Sequence, residues 1–114
     1  MIQSSLRRLA LPMIFLSVAL AAAPALADPT IPVRLKDHKF TPAEITVPAN
    51  TALILNVTNA DNLAEEFDSN DLKIEKVIAG GQVGVVRLRP LKPGRYSFMG
   101  EYHAKTAQGV VIAK

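Results

Sequence analysis

The stretch "AEITVPANTALILNVTN" (residues 43–59) decides the fold class. Its first half alternates apolar and polar residues and closes at Pro48 and Asn50, and its second half is rich in apolar and β-branched residues. Alternation with a period of two is typical of a strand with one buried face, and Pro and Asn are typical turn residues. The stretch therefore predicts two short strands joined by a turn.

Similar runs, bounded by Pro, Gly, Asn or Asp, recur along the chain about every ten residues. They occupy residues 31–36, 43–50, 51–59, 65–69, 72–78, 83–91, 92–99 and 109–114. No segment shows a sustained helical period. The pattern predicts an all-β fold, a Greek-key antiparallel β-sandwich of seven or eight strands. Residues 59–72 are long and polar, and we leave them open as a loop, a short helix or a broken strand.

Residues 1–27 are predicted to be a cleaved secretory signal peptide. Arg7 and Arg8 form a basic start, an apolar run follows, and "ALA" at 25–27 supplies small residues before the cut. The competing interpretation is a transmembrane anchor, but the apolar run of roughly 15 residues is shorter than a span needs. The mature chain, residues 28–114, is then one exported domain without a membrane span.

Composition narrows the class of protein further. The whole chain carries a formal charge of +3, but without Arg7 and Arg8 there remain 11 basic residues against 10 acidic ones, a net charge of +1. With no basic run and only six Tyr and Phe residues, nucleic-acid binding has no support. The chain has no cysteine, which excludes disulfides and thiolate metal sites. Its stability must come from a packed core or a bound metal.

Three stretches together resemble the cupredoxin superfamily, the small β-sandwich copper proteins. They are "LKDHKFTPAEITVPANTALILNVTN" (35–59), "LKPGRYSFMGEYH" (91–103) and "QGVVIAK" (108–114). The first is similar to the family's opening strands, the second to its closing strand and ligand loop, and the third to its last strand. The pieces come in the family's order and at its separations, and together they extend from residue 35 to residue 114, so the resemblance implies a cupredoxin-like sandwich over essentially the whole mature chain.

The resemblance also assigns the family's ligand positions to residues of this chain. Blue-copper members use two His, one Cys and a weak axial Met. The first His position falls on Glu65, the Cys position on Gly100 and the second His on His103. The axial Met position falls on Thr106 or Ala107. One ligand of four remains, so the resemblance implies a domain that is not a blue-copper electron carrier.

Acidic residues stand near the missing ligands. Glu65, Glu66 and Asp68 surround the first His position, and Glu101 follows the Cys position. If residues 65–68 and 100–103 converge at one end of the sandwich, their clustered carboxylates destabilise the fold unless a cation neutralises them. Strand alternation places Glu65 opposite to Glu66 and Asp68, so Glu65 and His103 are the first predicted metal ligands and Glu101 and Glu66 the second. The alternative is an ordinary solvated acidic face.

Three further residues are given structural roles. His38 and Asp37 are expected to be exposed residues of the opening strand, with a metal role as the less favoured alternative. Tyr96 follows a Pro-Gly turn at the start of a strand, where a tyrosine commonly fixes a corner of the sandwich.

The acidic pattern is similar to that of the EfeO-type cupredoxin-like domains found with bacterial iron-uptake systems. This resemblance implies a periplasmic protein that binds an iron or copper ion and works with an inner-membrane iron permease or another uptake component. Carboxylate and imidazole ligands suit such ions. We expect no enzyme beyond an accessory role in iron oxidation, because no nucleophile–base pair or phosphate-binding loop is present. The alternative is a protein-interaction module whose metal site is degenerate.

Overall fold

The computed structural model describes residues 3, 5, 8–21 and 26–114. Residues 8–21 are exposed and form no helix or strand. Arg7 and Ala25, which carry parts of the predicted signal peptide, lie outside the described residues. Within the described part of the chain, no helix has the length and apolar character needed to cross a membrane.

Nine strands and one short 3-10 turn follow the N-terminal segment. The strands are β1 (Thr30–Lys36), β2 (Lys39–Thr41), β3 (Glu44–Val47), β4 (Leu53–Asn59), β5 (Glu65–Ser69), β6 (Ile74–Ile78), β7 (Val83–Leu88), β8 (Gly94–Gly100) and β9 (Gln108–Ala113). The 3-10 turn, Glu101–His103, follows β8 directly. The predicted all-β sandwich is confirmed, with β2 as a ninth strand that the sequence pattern missed.

The strands form two sheets, in the orders β2-β1-β4-β7 and β3-β9-β8-β5-β6. Two neighbouring pairs, β1 with β4 and β3 with β9, are parallel, and the other pairs are antiparallel. Most pairs are therefore antiparallel, as predicted, but each sheet contains one parallel pair, so both sheets are mixed. The physical reason is that crossings between the sheets, rather than hairpins, connect the partners of each parallel pair, and a crossing lets a strand return in the same direction.

Alternation along the strands builds the core between the sheets. Residues of β4 are alternately buried and half-buried, as the period of two predicts. Phe67 of β5 and Phe98 of β8 stack with ring centroids 4.8 Å apart, and Phe40 of β2 packs edge-on against Phe98 at 5.1 Å. Aromatic pairs in these arrangements add to the stabilisation from buried area. This cluster fixes β5 against β8, and both strands lead to the candidate site.

The segment left open at 59–72 is a loop, then strand β5, then a turn. Buried Asn59 organises the loop, because its Nδ2 donates to the carbonyl oxygens of Leu63 (2.8 Å) and Ile78 (3.0 Å). Its Oδ1 accepts the backbone N–H of Asp61 at 3.1 Å. The side chain of Asn59 thus pairs with backbone groups that would otherwise need partners in a sheet.

Tyr96 has the structural role predicted for it. It lies near the start of β8, half-buried, and its hydroxyl donates to the carbonyl oxygen of Lys92 at 2.8 Å. The bond holds the turn between β7 and β8 as a corner of the sandwich.

Candidate metal centre

Strand β5 directs one carboxylate into the sandwich and two away from it. Its residues are alternately buried and half-buried, so Glu65, Phe67 and Ser69 face the interior. Glu65 is only 2% exposed, which is unusual for a glutamate. Glu66 and Asp68 lie on the outer face. A buried carboxylate requires compensating hydrogen bonds or charge, so the partners of Glu65 identify the site.

Both oxygens of Glu65 have partners in the loop that follows β8. Oε1 accepts the backbone N–H of Tyr102 at 2.9 Å and that of Glu66 at 3.1 Å. Oε2 lies 2.5 Å from Nδ1 of His103, a charge-assisted contact when the ring is protonated. The structure therefore brings together the two residues that were the first predicted ligand pair.

Gly100 explains why a carboxylate can occupy this position. A Cβ atom on Gly100 would lie 2.6 Å from Cδ of Glu65 and 2.8 Å from Cβ of Ala107, closer than real Cβ contacts. The Glu65 side chain thus fills the space that a side chain at position 100 would need. Because the chain has no cysteine and this position has no room for one, the residues present do not fit a blue-copper centre.

His38 joins the site from the other sheet. The sequence predicted a strand position for His38, but His38 lies with Asp37 in the two-residue turn between β1 and β2. Both residues have positive φ, 51° for Asp37 and 56° for His38. Its ring stacks on that of His103, with centroids 3.6 Å apart and planes inclined by 10°. The expectation of an ordinary exposed strand residue is therefore wrong, because the turn folds over the end of the sandwich.

Asp61 holds this turn in place. Its Oδ1 accepts the backbone N–H of Asp37 at 2.8 Å, and its Oδ2 accepts that of His38 at 3.0 Å. Nζ of Lys36 lies 3.9 Å away and Nδ1 of His38 lies 3.5 Å away. The N–H of His38 is the main reason why the pKa of Asp61 is lowered, with smaller contributions from Asp37, His38 and Lys36, while partial burial opposes the shift.

The lowered pKa of Asp61 predicts a dependence of stability on pH. Ionised Asp61 stabilises the folded state above the ordinary carboxyl pKa of about 3.9, and the contribution is lost as the pH falls through the lower folded-state value. We expect Asp61→Asn to lower the free energy of unfolding at neutral pH. Urea denaturation of parent and variant at about pH 7 and about pH 3 should show the difference shrinking at the lower pH. A difference that stays constant would assign the effect to shape rather than charge.

The second predicted pair, Glu66 and Glu101, lies in a separate group with Asp68 on the outer face of β5. Donor atoms of these three residues all lie within 4.8 Å of one another. Partial desolvation, followed by the neighbouring Glu101 carboxylate, raises the pKa of Glu66. The structure therefore divides the predicted ligands between two clusters, and Glu65 with His103 belongs to the one that also contains His38.

Sequence reasoning kept a metal role for His38 only as the less favoured alternative and missed the turn that carries it, although a signal for the turn was present. The strand-like run ending at Lys36 and the short run "KFT" (39–41) are separated by exactly two residues, Asp37 and His38. Two-residue connections are typical of hairpins whose central residues have positive φ, which Asp and His tolerate better than most residues. The run is only three residues long, too short to show the period of a strand.

Comparison with known proteins identifies the family of this chain. The model of the cupredoxin-like domain family matches residues 8–113 of the chain. An uncharacterized protein of Rickettsia prowazekii (strain Madrid E) is 43% identical over 82 residues, which are 72% of this chain and 66% of that relative's length.

Solved structures share the fold at low sequence identity. Auracyanin A, a blue copper protein from Chloroflexus aurantiacus, superposes with a TM-score of 0.66 at 14% identity, covering 77% of this chain and all of that one. The metal-binding domain of the Cu(I)-exporting P-type ATPase CopA of Streptococcus pneumoniae D39, solved with Cu(I), has a TM-score of 0.64 at 18% identity, covering 75% of this chain and 84% of that one. The chain belongs to the cupredoxin-like domain family.

Proposed function

We propose that this protein binds an iron or copper ion through Glu65 and His103 and supports bacterial iron uptake in the periplasm. One observation carries the proposal. The buried Glu65 at the start of β5 and His103 in the turn after β8 are 38 residues apart in the chain, yet their side chains meet at 2.5 Å. Buried ionisable groups with a specific partner are candidates for functional sites.

The two donor atoms suit an ion that takes the place of the hydrogen bond between them. Metal–nitrogen and metal–oxygen bonds are about 2.1 Å long, so two neighbouring donors of one ion lie about 3 Å apart. Glu65 Oε2 and His103 Nδ1 would have to separate by roughly half an ångström. The hydrogen bonds from Tyr102 and Glu66 to Oε1 hold the carboxylate in its orientation while Oε2 binds.

The donor types favour iron or divalent copper over a soft ion. Carboxylate oxygen and imidazole nitrogen are hard to borderline donors, and thiolate is absent from the chain. A carboxylate ligand also stabilises the ferric state relative to the ferrous state, so an iron ion bound here would lose an electron more readily to an external acceptor such as dioxygen before its transfer to an inner-membrane permease. The similarity to EfeO-type domains and the predicted export signal support this assignment to iron uptake.

The alternative is an interaction module of an iron-transport system with a degenerate metal site. One observation favours it: the carboxylate of Glu65 is already satisfied by three contacts without any ion. Calorimetric titration of the purified protein with Fe(II) in the absence of oxygen, and separately with Cu(II), distinguishes the two. We expect saturable binding of one ion per chain. Absence of binding at micromolar metal would support the interaction module.

The Cu(II)-loaded protein is expected to be pale. The intense absorption of blue copper requires a thiolate ligand, which neither Gly100 nor any other residue supplies. The visible spectrum of the protein with one equivalent of Cu(II) tests this expectation. An intense blue band would contradict a site made of carboxylate and imidazole.

A further inference from the structure

We infer that His38 is a third ligand of this site, so that a bound ion contacts two imidazoles and one carboxylate. The inference rests on the proposed metal binding by Glu65 and His103. It adds a residue from the turn between β1 and β2. Donor atoms of His38, Glu65 and His103 all lie within 4.8 Å of one another. These donors come from both sheets of the sandwich, since His38 follows β1 and Glu65 begins β5.

The backbone of His38 is fixed rather than free to drift. Asp61 accepts both N–H groups of the turn, and the N–H of Asp61 is held by Asn59. The N–H of Ala60 donates to the carbonyl oxygen of Leu35 at 2.8 Å, which ties the same loop to β1. A ligand whose backbone is held in this way loses little conformational entropy on binding, so its position favours a metal role.

The present ring stack is a metal-free arrangement, and one ring must turn for both to bind. Imidazole nitrogens direct their lone pairs in the ring plane, and planes inclined by only 10° do not converge on one ion. His103 is held at Nδ1 by Glu65, whereas His38 has only the 3.5 Å contact to Asp61 and a more exposed side chain (37% against 25%). His38 is therefore the ring that turns.

As the ring of His38 turns, its donor atom has to approach the other two donors only slightly. Two donors on one ion lie at most about 4.2 Å apart when each bond is about 2.1 Å. The donor separations of up to 4.8 Å thus need to shorten by roughly half an ångström at most. Rotation about the side-chain torsions of His38 supplies a displacement of this size without moving the turn.

The donor set defines the class of ion. Two imidazoles and one carboxylate leave coordination positions open, an arrangement typical of non-haem Fe(II). Open positions let an incoming ligand bind before the protein donors leave. We therefore assign the site to a divalent first-row ion, with ferrous iron as its best match, held for transfer rather than locked into the fold.

The test replaces His38 by asparagine, because asparagine tolerates the positive φ of this position and lacks an imidazole. Pulsed electron paramagnetic resonance of the Cu(II)-loaded protein counts bound imidazoles. We expect two in the parent and one in His38→Asn, with the affinity for Cu(II) and Fe(II) lowered about threefold to tenfold, on the order of 1 kcal/mol. Lys39→Asn, an exposed neighbour, is the matched control and should bind as the parent does.

A second measurement follows the stack itself with diamagnetic Zn(II). In the metal-free parent, ring protons of His38 and His103 should show a nuclear Overhauser effect, which should disappear when Zn(II) binds. One imidazole in the parent, together with unchanged affinity in His38→Asn, would overturn the inference while metal binding itself stands. No binding by the parent at all would refute both this inference and the proposed function.

Discussion

Replacing Glu65 by glutamine is expected to weaken the binding of iron or copper by at least about tenfold, on the order of 1.4 kcal/mol or more. Glutamine keeps the shape of the side chain and one acceptor oxygen, but it removes the negative charge that faces His103. A neutral amide is a much poorer metal ligand than a carboxylate. Calorimetric titration of parent and variant measures the change. Glu44→Gln, an exposed glutamate of β3, is the matched control and should leave the affinity unchanged.

The companion variant His103→Ala should weaken binding by a similar factor. The double variant Glu65→Gln/His103→Ala should cost less than the sum of the two single changes, because ligands of one ion do not act independently. Metal that binds only the native state also raises the thermal midpoint of the parent, and the double variant should lose that rise. If both single variants bind as the parent does, the metal site does not include this pair.

Gly100→Ala is expected to lower the free energy of unfolding by about 3 kcal/mol, the upper part of the usual range for an overfilled core. The added Cβ would meet Cδ of Glu65 at 2.6 Å and Cβ of Ala107 at 2.8 Å. The backbone cannot move aside easily, because Gly100 pairs with Phe67 and its N–H donates to the carbonyl oxygen of Ala107 at 2.8 Å. Urea denaturation measures the loss.

A second background identifies the cause of that loss. Glu65→Ala removes two of the three atoms nearest to the new Cβ and leaves the Ala107 contact. Gly100→Ala should therefore cost clearly less in the Glu65→Ala background than in the parent. Equal costs in both backgrounds would show that Glu65 does not occupy the space at position 100.

Much of the fold follows from local pattern. The apolar and β-branched run at residues 51–59 predicted β4, and the period of two placed Glu65 on the opposite face of β5 from Glu66 and Asp68. This parity explains why Glu65, and not Glu66, reaches His103. The position of Tyr96 after a Pro-Gly turn likewise predicted its corner bond.

Other features have no local pattern strong enough to predict them. Strand β2 has three residues, and a period of two cannot be recognised over so short a run. The parallel pairing of β1 with β4 depends on how the chain crosses between sheets, which the strands themselves do not encode. The hydrogen bonds from the N–H groups of Asp37 and His38 to the carboxylate of Asp61 join residues more than twenty positions apart.

By itself, the sequence determined that this chain forms short strands, lacks a thiolate and places Glu65 on the opposite strand face from Glu66, because composition and the period of two are properties of neighbouring residues. Only the tertiary structure decided that His38 stacks on His103 and that the side chain of Glu65 occupies the space beside Gly100. Both contacts join segments distant in the chain, and their geometry depends on how the two sheets and their loops pack. The candidate ligands were therefore visible in the sequence, but their division between two clusters, and the place of His38 in one of them, resulted from packing.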